Sequence, residues 1–423
     1  MNRLIFLLGC LIPLSLSAQI SGVTPDHIYL DNIKTVKLSL QGSPQTFPVI
    51  SLNGGEKVEL SFDDLDADVK NYYYTLVLCN ADWTPAILNP FDYLKGFTEN
   101  RIAGYHYSTI PLQRYTHYDV VFPNDNIQPT KSGNYLLKVY LDSDTSRLAF
   151  TRRLLVVDNK AIIKGTIQQP VNPKIFRTYQ KVNFDVQLSG LNISNPFEQV
   201  KVYVLQNDRW DNAVKKLKPT FLKGDVLEYN AENDCVFPAG KEWRWIDLRS
   251  FRLQTERVDH IHFADKSTDV YILPDQERVN TRYVYHQDIN GQYYPAMLEE
   301  SYNPDYEGDY ATVHFTFPAA TPYAGSEMYI FGELTNYECN ASNRMTYVPE
   351  HKAYEGSLFL KQGYYNYMYG LIDKGSNHLS MDNTEGNWWE AENDYTILVY
   401  FRPFGARADE LIGVRTLNSI PGR

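Results

Sequence analysis

The stretch from residue 72 to residue 79 restricts the fold more than any other part of the sequence. It reads YYYTLVLC, and both sets of alternating side chains are apolar or aromatic. Strict alternation predicts a β-strand, and two apolar faces indicate a strand that is covered on both sides. We therefore expect a β-sheet with this strand at its centre.

The residues that follow this strand, Asn80-Ala81-Asp82-Trp83, predict a loop that carries a large aromatic side chain. Two interpretations remain open. Trp83 caps the core while Asp82 ties down a turn, or the loop is displayed to a partner.

Composition narrows the class of protein. A chain of 423 residues is long enough for two to four domains, and 33 Tyr with 20 Phe favour β-structure. The net charge is −11, with acidic and basic residues mixed along the chain. This balance argues against nucleic acid or an anionic membrane surface as the partner.

Residues 1–18 are predicted to be a signal peptide. Arg3 is followed by an apolar run from Leu4 to Leu16 and then by small residues up to Ala18. The residues before Cys10 also fit a lipoprotein cleavage site, but the apolar run ahead of Cys10 is short. Since no later stretch approaches the ~20 apolar residues of a membrane-spanning helix, we expect an exported, soluble mature chain without a direct lipid anchor.

The remaining chain is predicted to form three sandwiches. Residues 19–158 contain at least six short alternating runs separated by turn residues, which is typical of an immunoglobulin-like sandwich. A second sandwich is expected over residues 159–317 and a third over residues 318–423, with residues 210–217 as a short helix in the second. The predicted fold class is all-β, with tandem immunoglobulin-like β-sandwich domains.

Few residues have the spacing of a catalytic or metal site. His260 and His262 share a strand face, and Asp64, Asp66 and Asp68 have calcium-loop spacing without the glycine and the closing glutamate of such a loop. The sequence contains no nucleophile elbow, phosphate loop or dinucleotide fingerprint. We expect no catalytic residues, no cofactor and no metal, and hence a binding protein rather than an enzyme.

Three cysteines lie beyond the signal peptide: Cys79, Cys235 and Cys339. An odd number in distant segments does not fit a disulfide framework. We expect buried free thiols.

Several short blocks occur along the chain in a characteristic order and spacing. They are LCNADW from Leu78, YLKGF from Tyr93, YTHY from Tyr115, FPN from Phe122, SGNY from Ser132 and ENDYT from Glu392. In this order and spacing they resemble the plug protein family of the type IX secretion system of Bacteroidota. One departure is Leu78, where a histidine is expected before the Cys-Asn-Ala-Asp-Trp run.

The resemblance implies a periplasmic protein that is peripheral to the outer membrane through its partner. That partner is the translocon barrel, whose periplasmic mouth the plug closes when no cargo is in transit. Loops at sandwich ends are common recognition sites, and buried aromatic residues dominate protein contacts. The candidate partner contacts are Asn80, Asp82, Trp83, Tyr93, Trp388 and Trp389.

A second, looser resemblance supports an alternative, a periplasmic carbohydrate-binding protein. Residues 329–337 and 363–367 are similar to the glycogen-binding modules of kinase β-subunits. Tyr337 stands where those modules place a sugar-stacking tryptophan, and Met368 stands where they use a lysine. These departures argue against glycan binding. A periplasmic hydrolase is a third and more distant hypothesis.

The first prediction concerns the N-terminus. We expect the mature protein to begin at or near Gln19 and to carry no lipid, because the apolar run continues past Cys10. Intact-mass analysis and N-terminal sequencing of the protein from its native host would test this. A diacylated Cys10 at the N-terminus would contradict it.

Overall fold

The computed structural model describes residues 23–299 and 303–420, so the predicted signal peptide and Cys10 lie outside the described residues. These residues form thirty strands and only short helical segments, which confirms the all-β class. Within the described ranges, no helix is long and apolar enough to cross a membrane. The helical segments are α1 (Pro196–Gln199), α2 (Pro304–Glu307) and two 3₁₀ turns (Pro90–Asp92 and Glu333–Thr335).

The first sandwich contains the first eleven strands. They are β1 (Ile33–Leu40), β2 (Val49–Ser51), β3 (Val58–Asp64), β4 (Tyr72–Cys79), β5 (Leu94–Gly96), β6 (Asn100–Arg101), β7 (Gly104–Tyr107), β8 (Thr116–Phe122), β9 (Ile127–Pro129), β10 (Gly133–Leu141) and β11 (Leu148–Val157). One sheet has the order β1-β3-β8-β7, the other has the order β2-β11-β10-β4-β6, and β5 pairs with β9.

The expectation that β4 is the central, doubly covered strand is wrong. Tyr72, Tyr74 and Leu76 are buried in the first core, whereas Tyr73 and Thr75 on the opposite face are only half-buried. The central strand is β10, which lies between β11 and β4 and is buried on both faces for nearly its whole length. The prediction failed because an aromatic side chain such as Tyr73 counts as apolar in the sequence pattern even when no other layer covers it.

Seven further strands follow in the second sandwich. They are β12 (Ile162–Gln168), β13 (Tyr179–Gln187), β14 (Val200–Gln206), β15 (Val214–Leu217), β16 (Phe221–Lys223), β17 (Val226–Tyr229) and β18 (Val236–Pro238). The helix expected over residues 210–217 is absent, and β15 occupies the end of that segment. It pairs with β14, so sheet pairing overrides the local pattern.

The third sandwich follows directly in sequence. Its strands are β19 (Arg244–Asp247), β20 (Val258–Phe263), β21 (Thr268–Ile272), β22 (Tyr293–Pro295), β23 (Tyr310–Pro318), β24 (Ser326–Phe331), β25 (Thr346–Val348), β26 (Ala353–Lys361), β27 (Gly363–Asp373) and β28 (Leu379–Ser380). One sheet has the order β20-β21-β23-β26-β25, and the other is built around β27.

The last two strands, β29 (Asp394–Phe401) and β30 (Glu410–Asn418), leave the third sandwich and complete the second. Val200 pairs with Phe401 in the sheet β15-β14-β29-β30, and Ile397 and Val399 lie in the same core as Val182. The third core extends from Ile246 to Leu371. The structure therefore differs from the division expected at residue 317, because strand pairing places residues 394–418 with the second sandwich and residues 246–317 with the third.

The first and second sandwiches pack sheet against sheet. Along β11, Leu154 and Val156 face the first core, whereas Leu155 and Val157 face a separate apolar cluster. That cluster also contains Tyr203, Leu205, Leu398, Tyr400 and Leu411 from β14, β29 and β30. This contact explains why both faces of β11 are apolar.

The first and third sandwiches meet at buried polar side chains. Asp63 on β3 is fully buried; its Oδ2 accepts hydrogen bonds from Lys361 Nζ at 2.6 Å and from Tyr310 Oη at 2.7 Å. His117 Nδ1 lies 2.6 Å from Asp63 Oδ1. Burial alone would raise the pKa of Asp63, but Lys361 and His117 outweigh it and lower the pKa below its usual value.

The second prediction concerns Glu385, a fully buried carboxylate in the third sandwich. It accepts hydrogen bonds from Arg244 Nε at 3.0 Å and Arg278 Nε at 2.6 Å. Burial raises its pKa, but the two arginines outweigh burial and lower the pKa from 4.5 to about 2. The stabilisation, about 3 kcal/mol, should be complete above the unfolded pKa and lost as the pH falls from about 4.5 towards 2.

Urea unfolding between pH 7 and pH 3 would test this expectation. Stability should fall on acidification in the wild type, and the fall should be smaller in Glu385→Gln, whose side chain does not titrate. If the free energy of unfolding falls equally in both proteins between pH 7 and pH 3, the expectation is contradicted.

Candidate functional site

The loop after β4 lies in the joint between the first and second sandwiches. Ala81 is fully buried in the cluster shared by the two sandwiches, and its amide donates to Asp409 Oδ2 at 2.9 Å. Asp409 itself is only 1% exposed. The Asn80–Trp83 segment, predicted to be a loop, therefore forms part of the contact between the first and second sandwiches.

Asp409 connects this loop to the second sandwich through charged hydrogen bonds. Lys201 Nζ lies 2.8 Å from Asp409 Oδ2, and Arg402 Nε lies 2.7 Å from its Oδ1. Arg402 also donates through Nη2 to Asn80 Oδ1 at 2.6 Å. Asn80 is thus held by an internal arginine rather than displayed.

Trp83 belongs to an aromatic and cationic cluster in the same joint. The guanidinium of Arg153 lies 4.9 Å from the centre of the Trp83 ring and 5.0 Å from that of Trp210. The two indole rings are perpendicular, with their centres 5.2 Å apart. Arg153 also pairs with Asp26. This cluster supports the interpretation in which Trp83 caps a core.

The other predicted contacts do not form one surface with Trp83. Asp82 is exposed, and it accepts a hydrogen bond from Thr84 Oγ1 at 2.6 Å. Tyr93 is 4% exposed and lies in the first core. A contact between these residues and a partner stays a prediction.

Trp388 and Trp389 lie beside the second sandwich. Trp388 is 38% exposed, stacks on Tyr283 with ring centres 6.0 Å apart, and donates to Glu390. Trp389 is half-buried, and its carbonyl accepts from Gln180 Nε2 at 2.6 Å. Trp388 is therefore the more accessible of the pair.

Large apolar side chains are exposed on neighbouring loops that the sequence did not single out. Between β4 and β6 these are Ile87, Phe91 and Phe97, which are 83%, 75% and 65% exposed. Phe404, at the turn between β29 and β30, is 98% exposed. We call these four residues the apolar loop surface.

Local geometry explains why Phe91 is displayed. Asn89 caps the turn Pro90–Asp92, its side chain accepting from the Phe91 amide while Asp92 accepts from the Asn89 amide. Asp92 also lies 3.7 Å from Arg407, which brings the turn that carries Phe404 beside this loop. The NPFD segment is a capping-box signal that predicts this turn, although it does not predict exposure.

The features that suggested a glycan site are occupied by protein. Tyr337 packs against Phe331 and Trp243, and the Arg209 guanidinium lies 5.9 Å from its ring centre. Met368 is 3% exposed. Tyr337 is half-buried, and these protein side chains cover part of its ring.

The acidic run after β3 contains its own cation. The Lys70 amino group lies 2.9 Å from Asp64 Oδ2 and 3.5 Å from Asp68 Oδ1, and it also pairs with Asp66. Throughout the two described ranges, no group of three or more His, Cys, Asp or Glu side chains is arranged to hold a metal ion. Cys79, Cys235 and Cys339 are free thiols; Cys79 and Cys235 are buried as predicted, whereas Cys339 is only half-buried.

The structure thus joins the sandwiches through buried contacts and exposes an apolar loop surface, an arrangement suited to binding. Residues 33–158 match the family described as the type 9 secretion system plug protein 1st domain. This match begins with β1 and ends just after β11. No curated protein matches the chain.

The chain is also similar to a hypothetical protein from Parabacteroides merdae, known from its crystal structure. The two are 33% identical with a TM-score of 0.88, and the similarity covers 92% of this chain and 98% of that chain. The chain belongs to the type 9 secretion system plug protein family. This is a family of secretion proteins rather than of enzymes, and membership associates the chain with type 9 secretion in the cell envelope.

The third prediction separates the joint from the exposed surface. Asp409→Ala should lower the free energy of unfolding by about 3 kcal/mol, because it removes a charged acceptor and leaves the Ala81 amide buried without a partner. Phe404→Ser should change it by less than about 0.5 kcal/mol, since that side chain contacts mainly solvent. Urea titration would measure both. Equal stabilities for the two variants would contradict the role of Asp409.

Proposed function

We propose that the protein is a periplasmic plug that binds the periplasmic mouth of the type 9 secretion translocon in the outer membrane and seals it when no cargo is in transit. The observation that carries the proposal is the family match over the whole first sandwich. The fold and the surface supply the physical support.

A seal needs a body that keeps its shape. The first sandwich is fixed on both of its outer faces by a fully or nearly fully buried carboxylate, Asp63 towards the third sandwich and Asp409 towards the second. Separating the first sandwich from the third leaves the Lys361 charge buried without its carboxylate, and separating it from the second leaves the Ala81 amide without its acceptor, both of which are unfavourable. Relative movement of the sandwiches is therefore opposed, and the body resists deformation in a wide channel.

The apolar loop surface supplies anchors for reversible docking. Phe91 projects from the turn that Asn89 caps, so little order is lost when it binds, and Ile87 and Phe404 are exposed on the neighbouring loops. A few such anchors within a polar surround are typical of interfaces that also dissociate. An engaged cargo displaces the plug if the cargo-bound channel has a lower affinity for it.

The fourth prediction is that a deletion strain remains able to secrete but becomes permeable to large hydrophilic compounds that the wild type excludes. The tagged protein should retain the outer-membrane barrel on purification. Restored exclusion after expression of the wild-type chain is the control. Normal permeability in the deletion strain, with no barrel retained, would contradict the proposal.

The contact surface is tested with the same assays. The triple variant Ile87→Ser, Phe91→Ser, Phe404→Ser should bind the barrel at least about tenfold more weakly, which corresponds to about 1.4 kcal/mol. Phe221→Ser, a matched change at an exposed phenylalanine of the second sandwich, should bind as the wild type does. Equal binding by both variants would exclude the apolar loop surface as the anchor.

A further inference from the structure

The strand β7 ends the sheet β1-β3-β8-β7, and its one neighbour in that sheet is β8. Along an antiparallel pair, alternate residues exchange both main-chain hydrogen bonds with the partner strand. The Ser108 amide donates to the Tyr115 carbonyl at 2.9 Å, and His106 stands opposite His117 two positions earlier. His106 and Gly104 therefore bond to β8.

Tyr105 and Tyr107 direct their amides and carbonyls away from the sheet as a result. Elsewhere in the described chain, no side chain or turn accepts a hydrogen bond from either amide. The open edge thus presents a donor and an acceptor at Tyr105 and again at Tyr107. This spacing matches the main chain of an extended polypeptide.

The edge carries no lysine, proline or bulge that would block strand addition, and at four residues it has room for only a short added strand. The register of β7 with β8 is unbroken, and the strand reads GYHY. By contrast, the edge strands β12 and β16 of the second sandwich carry Lys164 and Lys223. Arg114 donates to the Ser108 carbonyl at 3.1 Å, which links the end of β7 to the segment before β8.

Side chains beside the edge would cover an added strand. Tyr105 and Tyr107 are 41% and 54% exposed, and their rings lie 5.8 Å apart on one face. On the other face His106 stacks on Tyr306, with ring centres 4.9 Å apart. Ile110 and Leu112, which follow the strand in sequence, are also exposed.

We propose that β7 accepts an extended segment of the translocon as an additional strand. The assignment of this segment to the translocon rests on the proposed function. Its extended conformation follows from the open main-chain groups of Tyr105 and Tyr107. With two outward-facing residues, the added strand forms few hydrogen bonds. Such a contact sets the orientation of the plug and still dissociates.

Hydrogen exchange of the purified complex tests the proposal directly. The amides of Tyr105 and Tyr107 should exchange at least tenfold more slowly in the complex than in the free protein. The amide of His106, already bonded to β8, should change little. Unchanged exchange at Tyr105 and Tyr107 would overturn the proposal.

Two variants at position 107 distinguish the contribution of the main-chain amide to binding from that of the side chain. Tyr107→Pro removes the outward amide without removing a bond to β8, and should reduce the retained barrel at least tenfold. Tyr107→Ala keeps the amide and should retain more barrel than Tyr107→Pro. Equal losses for the two variants, or no loss for Tyr107→Pro, would overturn the proposal. If Tyr107→Pro does not fold, the exchange measurement on the wild type decides.

Two further outcomes are distinguishable. If the wild type retains no barrel, the proposed function fails, and the assignment of the strand to the translocon fails with it. If the free protein dimerises with Tyr105 and Tyr107 already protected, the occupant is a second copy of the chain, which contradicts the assignment.

Discussion

The packing of the first sandwich on the third depends on one buried carboxylate. An isolated charge in a protein interior is strongly unfavourable, and burial becomes tolerable only when partners with good geometry surround it. Asp63 has such partners in Lys361, Tyr310 and His117, the first two supplied by the opposite sandwich. A small shift of either sandwich would remove Lys361 and Tyr310 from Asp63 and leave the Lys361 charge without its carboxylate. We therefore infer that this contact selects one placement of the first sandwich relative to the third and adds little to the free energy of unfolding.

Asp409 has the corresponding role on the other side of the first sandwich. There the carboxylate is placed by the turn between β29 and β30, and apolar residues of β11, β14 and β29 surround the joint. The apolar contact supplies area without strong directional preference, and the charged hydrogen bonds supply direction. Together they favour one relative placement of the first and second sandwiches.

The fold class and the individual strands could be predicted from the sequence because alternation is a local property. The alternation from Tyr395 to Phe401 predicts a strand, but it does not predict that this strand pairs with β14, since pairing between distant segments leaves no mark in either one. The same limit applies to the joint. Nothing in the Asn80–Trp83 segment indicates that Asp409 accepts from its backbone.

The candidate site was predictable only in part. Trp83 and Tyr93 were chosen as large aromatic side chains near a sandwich end, but such residues serve cores and interfaces equally well. The structure places Tyr93 inside and its neighbour Phe91 outside, a distinction set by the capped turn at Asn89 and by the packing around it. The main-chain edge at β7 is independent of side-chain identity, so composition could not indicate it.

The return of β29 and β30 to the second sandwich has a consequence for biogenesis. A chain that emerges from its N-terminus acquires β12 to β18 early but lacks two strands of the sheet that closes over them. The intervening segment, β19 to β28, already contains its whole core and is able to close first. The middle of the molecule is then the last part to become complete, and a nascent chain keeps an open sheet edge at β14 until its final strands arrive.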